Sequence, residues 1–389
     1  MTDFALDFAL IGHQDCWSAA KGVLRVLRGA DRSPLGDQDV KEILPWIPPR
    51  PICSVDVDSV TGSRAHGLYI DCFIPPDELG PENLRANLAR VKQAAACAVK
   101  SNAKIVSLGG FSSILIEGNV ANLPSGGETV FTTGNTLTVC FIVQGIKRMC
   151  ALAQRNLAES TLLIVGATGD VGSGCARCLA PFVNRLLLRA RNQDRLNTLA
   201  VQLRAGGCQV EIASGSQQFD CEADIAICAA SLPSPSFVLN GICPDAIVCD
   251  AGYPKNLAPL RSQGAKVFHG GLGQVTGNLR LSPDLNGILN RHPFPNVVHG
   301  CLLEGIALAL DKRFEPFSQG RGFITSERVA EIGRIADRHG IFLAPLFNNK
   351  GPLELPAGLS ASTIGVVPCD SISVPSRARK QAFQKYVHA

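Results

Sequence analysis

A glycine-rich turn between residues 161 and 172 has the residue types and spacing that bind a dinucleotide. The segment TLLIVGATGDVG runs from apolar residues 162–165 into three glycines at three-residue spacing, where a helical pattern begins. A strand, a tight turn and a helix start bring backbone amides close to a pyrophosphate, so this spacing predicts a dinucleotide site. A turn that serves only strand–helix packing is the alternative. The residues assigned to the site are Gly166, Thr168, Gly169, Asp170, Val171 and Gly172.

Two arginines follow the next apolar run, 186–188, at the position where an NAD site would place a carboxylate on the ribose. The guanidinium groups of Arg189 and Arg191 suit a 2′-phosphate instead, so the sequence predicts NADPH rather than NADH as the cofactor. Three further residues are assigned to the same cofactor site: Asn192, Ala230 and Gly252.

Cys301 is the cysteine whose surroundings best suit a nucleophile. It lies in VHGCLLE, in the first turn of a predicted helix, where backbone amides and the helix dipole favour a thiolate. The nearby imidazole of His299 would lower the thiol pKa further. One interpretation is a thiol that accepts an acyl group from a thioester. The other is a small buried core residue, which spacing alone favours because this chain uses cysteine freely.

Three other glycine loops follow apolar strands, where open parallel sheets bind ligands. They are LGGFSS (108–113), TTGNT (132–136) and AGYPKN (251–256). In the third loop, Lys255 or Tyr253 would polarise a carbonyl or donate a proton, and the alternative is a turn with an exposed lysine. The first two loops are assigned to substrate through Gly110, Ser112, Ser113, Thr133 and Asn135, although each loop taken singly also fits a turn or a helix cap.

The elements that must position these residues form an α/β protein. Short apolar strands alternate with amphipathic helices, which predicts a Rossmann-like doubly wound parallel sheet with an N-terminal α/β domain and a C-terminal helical segment. We assign residues 1–155 to the N-terminal substrate domain, 156–290 to the NADPH-binding domain and 291–347 to the helices that carry Cys301. The tail 348–389 is rich in Pro, Gly and Ser, and we expect it to be mobile.

Composition narrows the class of protein. The chain has 389 residues, of which 46% are hydrophobic and 18% charged, enough to build a large core. A net charge of +4 gives no basis for nucleic-acid binding. Fifteen cysteines without a framework spacing indicate a reducing cytoplasm, and the Cys175/Cys178 pair falls inside a predicted helix as core. We expect no metal site, signal peptide or membrane span.

Several sequence blocks in one order resemble the cyanobacterial long-chain acyl-(acyl carrier protein) reductases. The likeness runs from about residue 8 to 347. Its blocks are LIGH (10–13), LGGFSS (108–113), FTTGNT (131–136), VGATGDVGS (165–173), ARNQDRL (190–196) and GYPKNL (252–257). Cys301 and Glu304 match the family's Cys-x-x-Glu context, so the resemblance implies that Cys301 is the acyl-accepting thiol.

The resemblance also implies a reaction and its partners. Cys301 would take the acyl group from an acyl carrier protein or coenzyme A thioester, Lys255 or backbone amides would stabilise the oxyanion, and NADPH would reduce the acyl group to a fatty aldehyde. An aldehyde-consuming enzyme would follow. The segment 273–296 departs from the family pattern, and the tail is extra. The tail's basic end would attract an acidic carrier protein or, peripherally, an anionic membrane, or would simply be solvated.

Two other functions remain open at this point. One is a shikimate-dehydrogenase-like enzyme that transfers hydride to a small carbonyl without a covalent intermediate. The other is a nucleotide-binding subunit that senses NADPH, or presents the carrier protein to a partner, without turnover.

Overall fold

The computed structural model describes residues 6–29, 32–79, 81–116, 123–124, 127–214, 222–230, 241–253, 255, 257, 264–320, 322 and 324–353. The chain divides into two compact units. The first comprises Met1–Asn135, Gly273–Gly320 and Ile335–Phe342. The second comprises Thr136–Leu272, Arg321–Arg334 and Leu343–Ala389.

The N-terminal part of the first unit alternates strands and helices. Its elements are β1 (Phe8–Gly12), α1 (Trp17–Arg28), α2 (Asp37–Ile43), β2 (Arg50–Asp58), β3 (Arg64–Asp71), α3 (Leu84–Lys100), β4 (Ile105–Leu108), α4 (Phe111–Ile116) and β5 (Val130–Thr132). Helix α5 (Asn135–Leu152) begins at the last residue of this part and continues into the second unit.

The second unit continues the alternation, and the chain then returns to the first. The elements up to the return are β6 (Thr161–Val165), α6 (Asp170–Leu179), β7 (Arg185–Ala190), α7 (Gln193–Ala205), β8 (Gln209–Ser214), β9 (Ala223–Cys228), β10 (Ile242–Asp250), β11 (Lys266–His269) and β12 (Leu272–Val275). The remaining elements are β13 (Asn278–Ser282), α8 (Asn286–Leu289), β14 (Val297–His299), α9 (Gly300–Leu310), α10 (Ser326–Arg338), β15 (Ile341–Leu343), β16 (Phe347–Asn348) and β17 (Gly351–Pro352).

The sheet of the second unit has the strand order β11-β10-β9-β6-β7-β8, and every neighbouring pair is parallel. Read in order of appearance within this unit, the strands lie in the sequence 3-2-1-4-5-6, the order of a dinucleotide-binding sheet. Residues 162–165 and 186–188 are buried, as expected for parallel strands covered on both faces. The predicted Rossmann-like α/β fold is confirmed.

The sheet of the first unit is mixed, with the order β13-β2-β3-β1-β4-β5. The neighbours β3, β1, β4 and β5 are parallel, whereas β2 and β13 are antiparallel. A separate three-stranded sheet has the order β14-β12-β15. Four parallel strands therefore end at one edge of the mixed sheet, where their following loops meet.

The course of the chain differs from the predicted linear boundaries at residues 155 and 290. Strand β13 pairs with β2, joining Leu279 to Val57, and helix α9 packs on β4 and β1. Gly305 lets α9 approach this closely, because a Cβ there would crowd the Ser107 side chain. The helix that carries Cys301 is thus part of the first unit rather than a separate C-terminal segment.

The beginning of the predicted mobile tail is folded, so that part of the expectation is wrong. Strands β16 and β17 pair antiparallel, and the Asn348 amide nitrogen donates to the carbonyl of Val267 at 2.9 Å. These backbone and side-chain bonds hold residues 347–352 on the second unit. Residues 354–389, which include the basic end of the tail, lie outside the described residues.

None of the described helices combines the length and apolar character needed to cross a bilayer. The described residues contain no group of three or more His, Cys, Asp or Glu side chains placed to hold a metal ion. Cys175 and Cys178 are free thiols buried in α6, and burial raises the pKa of both.

Candidate active site and nucleotide site

Cys301 lies at the start of α9, against the loop that follows β4. It is the second residue of the helix and only 8% exposed. The backbone N–H of Gly110 donates to the Cys301 sulfur at 3.4 Å, and the Ser107 hydroxyl donates to the Cys301 carbonyl at 2.5 Å. The thiol is therefore held by residues almost two hundred positions away in the chain.

The expectation of a lowered thiol pKa at Cys301 is wrong. Burial raises the pKa and Glu304 adds to the increase, while the backbone N–H groups of Gly110 and Leu302 act in the opposite direction. His299 lies just before the helix, and its ring packs edge-on against His292 with centroids 5.6 Å apart. The backbone amides, rather than His299, are the groups that favour the thiolate here.

The loop after β5 packs directly on the cysteine. Gly134 has a φ of +70°, and a Cβ at this position would overlap the backbone of Cys301. The Thr133 N–H donates to the Ser318 carbonyl at 2.8 Å. The Thr133 hydroxyl is fully buried and has no hydrogen-bond partner among the described residues.

A buried carboxylate fixes this loop to α9. Glu304 is fully buried, and it accepts hydrogen bonds from the hydroxyls of Thr132 and Ser318, the latter at 2.6 Å. The Ser318 N–H in turn donates to the Thr132 hydroxyl at 3.0 Å. Glu304 lies one helical turn beyond Cys301, so this network fixes the position of α9 along its axis relative to the loop.

The remaining predicted substrate residues support the same two loops. The Ser113 hydroxyl donates to the Gly110 carbonyl at 2.9 Å, and the buried Ser112 hydroxyl lies 3.9 Å from the Cys72 sulfur. Asn135 is buried at the first residue of α5. The structure thus brings Gly110, Thr133 and Asn135 together in the loops around Cys301, while Ser112 and Ser113 brace the first loop from within.

Sequence reasoning missed a second group of residues beside these loops. The ring of His13 accepts a hydrogen bond from the Phe111 N–H at 3.0 Å, and the Gln14 side chain donates to Asp71 at 2.7 Å. All three polar side chains are buried. The available signal was the polar pair His13 and Gln14 directly after the apolar strand β1, at a strand end where open parallel sheets bind ligands.

The glycine loop of the second unit has the conformation that its spacing predicted. Gly166 has a φ of +84°, and its N–H donates to the Arg189 carbonyl at 2.8 Å. A Cβ on Gly172 would overlap the Gly166 carbonyl, and a Cβ on Gly166 would crowd Ala229 and Ala230 at the end of β9. These contacts place the start of α6 at the switch point between β6 and β9, where a pyrophosphate fits.

The other predicted residues of this loop lie at the helix start. Thr168 lies in the turn, Gly169 is the N-cap, Asp170 is the first helical residue and is buried, and Val171 follows it. The residues present therefore fit a dinucleotide: a glycine turn, a ten-residue helix and the reversal of strand order coincide.

The predicted cofactor residues at the end of β7 and just after it differ in exposure. Arg189 is only 3% exposed, and burial lowers the pKa of its guanidinium. Asn192 caps α7, because its side-chain oxygen accepts the Arg195 N–H at 3.0 Å. Arg191 is exposed. Of the predicted phosphate-binding pair, Arg191 is therefore the side chain that solvent, and hence a ligand, reaches most readily.

Lys255 is not simply an exposed turn residue. Its ammonium group donates to the carbonyls of Asp250 at 2.9 Å and Gly270 at 3.0 Å, which joins the ends of β10 and β11. Gly252 is buried and Tyr253 is half-buried in the same loop, whereas positions 254 and 256 lie outside the described residues. A catalytic role for Lys255 or Tyr253 stays a prediction.

Known proteins resemble this chain to different degrees. No protein-family model matches it. A long-chain acyl-(acyl carrier protein) reductase from Synechococcus elongatus is 31% identical over 347 residues, which cover 86% of this chain and 97% of that protein. The aminotransferase PigE from a Serratia species is 26% identical over 302 residues, which cover 75% of this chain and 34% of that protein.

One solved structure illustrates how distant the structural relatives are. Shikimate 5-dehydrogenase from Listeria monocytogenes, solved with shikimate and NAD, is 12% identical with a TM-score of 0.34. The match covers 69% of this chain and 87% of that chain. A likeness at this level adds nothing to the fold described above.

Proposed function

The chain belongs to the long-chain acyl-(acyl carrier protein) reductase family, and from this premise we propose that it reduces a fatty acyl thioester to a fatty aldehyde through an acyl group carried on Cys301. The predicted family and its reductase class are confirmed by the 31% identity over 97% of the Synechococcus protein. The observation that carries the covalent route is the Cys301 sulfur beneath the Gly110 N–H, between the two loops of the first unit.

The acylation step uses the first unit alone. The Cys301 sulfur attacks the thioester carbon, a new carbon–sulfur bond forms, and the bond to the donor's sulfur breaks. The thiol proton ends on the departing thiol, so the step needs no other reactant. The N–H groups of Gly110 and Leu302 favour the thiolate, while burial limits the access of water that would hydrolyse the acyl group.

NADPH is the reductant, and when bound it supplies the hydride that brings the acyl carbon to the aldehyde level. The chain's own contribution is to hold it: the loop from Gly166 to Gly172 would receive the pyrophosphate, and Arg191 would receive the 2′-phosphate. The reduced carbon would take one proton from solvent to become a thiohemiacetal. Its hydroxyl proton then passes to the Cys301 sulfur as the carbon–sulfur bond breaks, and the aldehyde departs. The free cysteine is ready for another acyl group.

The donor and the fate of the product follow from this chemistry. The Synechococcus relative is named for acyl-(acyl carrier protein), so we propose an acylated carrier protein as the donor, with acyl-coenzyme A as the comparison substrate. A free long-chain aldehyde is reactive and apolar, so an aldehyde-consuming enzyme is proposed as the next partner.

The test is to trap the acyl group. Wild-type protein, Cys301→Ala and Cys53→Ala are each mixed with palmitoyl-carrier protein without NADPH and weighed intact. Cys53 is a buried strand cysteine of the same unit and serves as the matched control. Wild type and Cys53→Ala should gain one palmitoyl group, and Cys301→Ala none.

Product analysis completes this test. With NADPH added, gas chromatography should show aldehyde from wild type and Cys53→Ala, with at least a hundredfold less from Cys301→Ala, on the order expected when a nucleophile is removed. Full aldehyde formation by Cys301→Ala would refute the covalent route and favour direct hydride transfer. No aldehyde from the wild-type chain with any thioester would favour a subunit without turnover.

A further inference from the structure

We infer that His13 is a positioning residue for Cys301: it holds the Phe111 amide and thereby fixes the neighbouring Gly110 amide against the sulfur. The inference rests on the proposed function, because it assigns a role toward the acyl-accepting thiol. His13 lies in the loop after β1, and the Gly110–Phe111 pair lies in the loop after β4, the neighbouring strand of the sheet.

The hydrogen bond to Phe111 settles which ring nitrogen of His13 carries the proton. A backbone N–H can only donate, so Nε2, at 3.0 Å from the Phe111 nitrogen, is the acceptor. The proton is then on Nδ1, which faces the Gln14 carbonyl at 3.4 Å. Burial lowers the pKa of His13 to about 4, so the ring is neutral at pH 7 and keeps this acceptor.

The imidazole is held from behind as well. Gln14, its neighbour in the chain, donates from its side chain to one Asp71 oxygen at 2.7 Å, and the Phe73 N–H donates to the other at 2.7 Å. The His13 ring also meets the Phe111 ring edge-on, with an interplanar angle of 87°. The position of His13 is therefore fixed by the loops after β1, β3 and β4 together.

This arrangement matters because Gly110 and Phe111 are consecutive and their amides serve different acceptors. Gly110 has a φ of +54°, and because glycine has no Cβ its backbone can leave this conformation unless a neighbour fixes it. With the Phe111 N–H bound to His13, the Gly110 N–H points to the Cys301 sulfur at 3.4 Å. A hydrogen bond to a charged sulfur favours the thiolate, so losing it should raise the thiol pKa.

Three acidic residues lie near this pair among the described residues. Asp15 acts on His13, Glu304 acts on Cys301, and Asp71 accepts the side-chain hydrogen bond of Gln14, the neighbour of His13. A substitution at His13 removes none of these carboxyl groups. A shift in thiol reactivity in a His13 variant therefore reports the amide rather than a change of neighbouring charge.

The test compares His13→Gln with His13→Met, two side chains of similar length of which only glutamine offers an acceptor to the Phe111 N–H. Iodoacetamide is added across a range of pH without acyl donor or NADPH, and alkylation of Cys301 is followed in its tryptic peptide by mass spectrometry. His13→Met should alkylate about tenfold more slowly at pH 8, with its profile displaced to higher pH. His13→Gln should stay within about threefold of wild type. His66→Phe, a histidine of β3 in the same unit, should match wild type.

The possible outcomes separate the two proposals. Equal alkylation profiles for His13→Gln and His13→Met would overturn the positioning role, as would failure of both variants to fold, because His13 would then serve only the fold. Failure of the proposed function shows instead as wild-type Cys301 that alkylates normally but takes no palmitoyl group. In turnover, the pH profile of kcat for His13→Met should be displaced to higher pH, a displacement that a loss of folded protein would not produce.

Discussion

The loops after β4 and β6 have similar backbone features, but their amides and glycines serve different purposes. Each follows a buried parallel strand, has a glycine at positive φ (Gly110 at +54°, Gly166 at +84°) and leads into a helix. After β4, two successive amides bind groups of the protein itself, the Cys301 sulfur and the His13 ring. After β6, the Gly166 amide binds the Arg189 carbonyl, and the glycines pack backbone on backbone.

The difference shows what each site needs from its sequence. The β6 loop is built from glycine and backbone, so the chemistry must arrive with a ligand that the helix start receives. The β4 loop serves a reactive group that is already present, so side chains from distant segments must surround and tune it. Binding at the β6 loop should therefore be sensitive to changes of shape, and the reactivity of Cys301 beside the β4 loop to changes of charge and protonation.

The largest expected effect comes from adding one methyl group beside Cys301, in the loop after β5, or after β6, at the start of α6. Gly134→Ala would drive a Cβ into the Cys301 backbone, and Gly172→Ala would drive one into the Gly166 carbonyl. Overpacking against backbone has no cheap relief, so each variant should lose about a hundredfold or more in aldehyde formation. The two variants should lose different steps. Gly134→Ala should lose acyl transfer to Cys301 but still bind NADPH, whereas Gly172→Ala should lose NADPH binding but still accept the acyl group.

Trapping of the acyl group, read by intact mass, measures acyl transfer, and a fluorescence titration measures NADPH binding. Gly287→Ala is the control, since a Cβ at that position meets nothing within 4 Å. If Gly134→Ala lost NADPH binding as well as acyl transfer, the two sites would not be separable.

A smaller effect concerns protonation beside the β4 loop. Burial raises the pKa of Asp71 from 3.8 to about 6, so the folded protein takes up this proton at a pH where the unfolded chain does not. Asp71 therefore stabilises the fold as the pH falls from about 6 to about 4. On going from pH 7 to pH 4.5, the Asp71 carboxyl should add about 2 kcal/mol to the unfolding free energy of the wild type, and Asp71→Asn should lack this gain.

Urea unfolding at the two pH values measures this difference. His13 has the opposite effect on stability. Its pKa is lowered to about 4 in the folded protein, so as the pH falls the unfolded chain takes up this proton before the folded protein does, and the unfolding free energy decreases. The two contributions nearly offset in wild type, and the Asn variant exposes that of His13. An unchanged pH dependence in Asp71→Asn, equal to that of the exposed control Asp284→Asn, would argue against this account.

The smallest effect is on the choice of cofactor. Arg191 is exposed beyond β7, and a guanidinium at that point suits a 2′-phosphate. Arg191→Ala should raise the KM for NADPH about tenfold and leave that for NADH nearly unchanged. Arg25→Ala, which removes an exposed charge from α1 in the first unit, should change neither. Equal losses with both cofactors would make Arg191 a structural residue.

Much of the second unit could be predicted because its signals are local. The apolar run before Gly166 became β6, and the spacing of Gly169 and Gly172 marked the start of α6. The start of α9 beside Cys301 was also correctly predicted. These features depend on residues within one helical turn or one strand of each other, so the local sequence pattern predicts them.

The surroundings of Cys301 could not be predicted in the same way. His13 and Gly110 reach the site from loops after different strands, and β13 joins β2 through residues such as Asn278 and Asp58, 220 positions apart. No periodicity connects such positions. The raised thiol pKa has the same origin, since burial is a property of the packed molecule and the helix start alone suggested the reverse.

The sequence by itself determined the family, the parallel α/β architecture of the second unit and the glycine turn, because these depend on residue order and short spacing. Tertiary structure alone decided that α9 joins the first unit and that the Gly110 amide faces the Cys301 sulfur. It also decided that a neutral histidine holds the adjoining amide. These contacts depend on which strand ends become neighbours, and the order of strands in a sheet is set by packing across the whole chain.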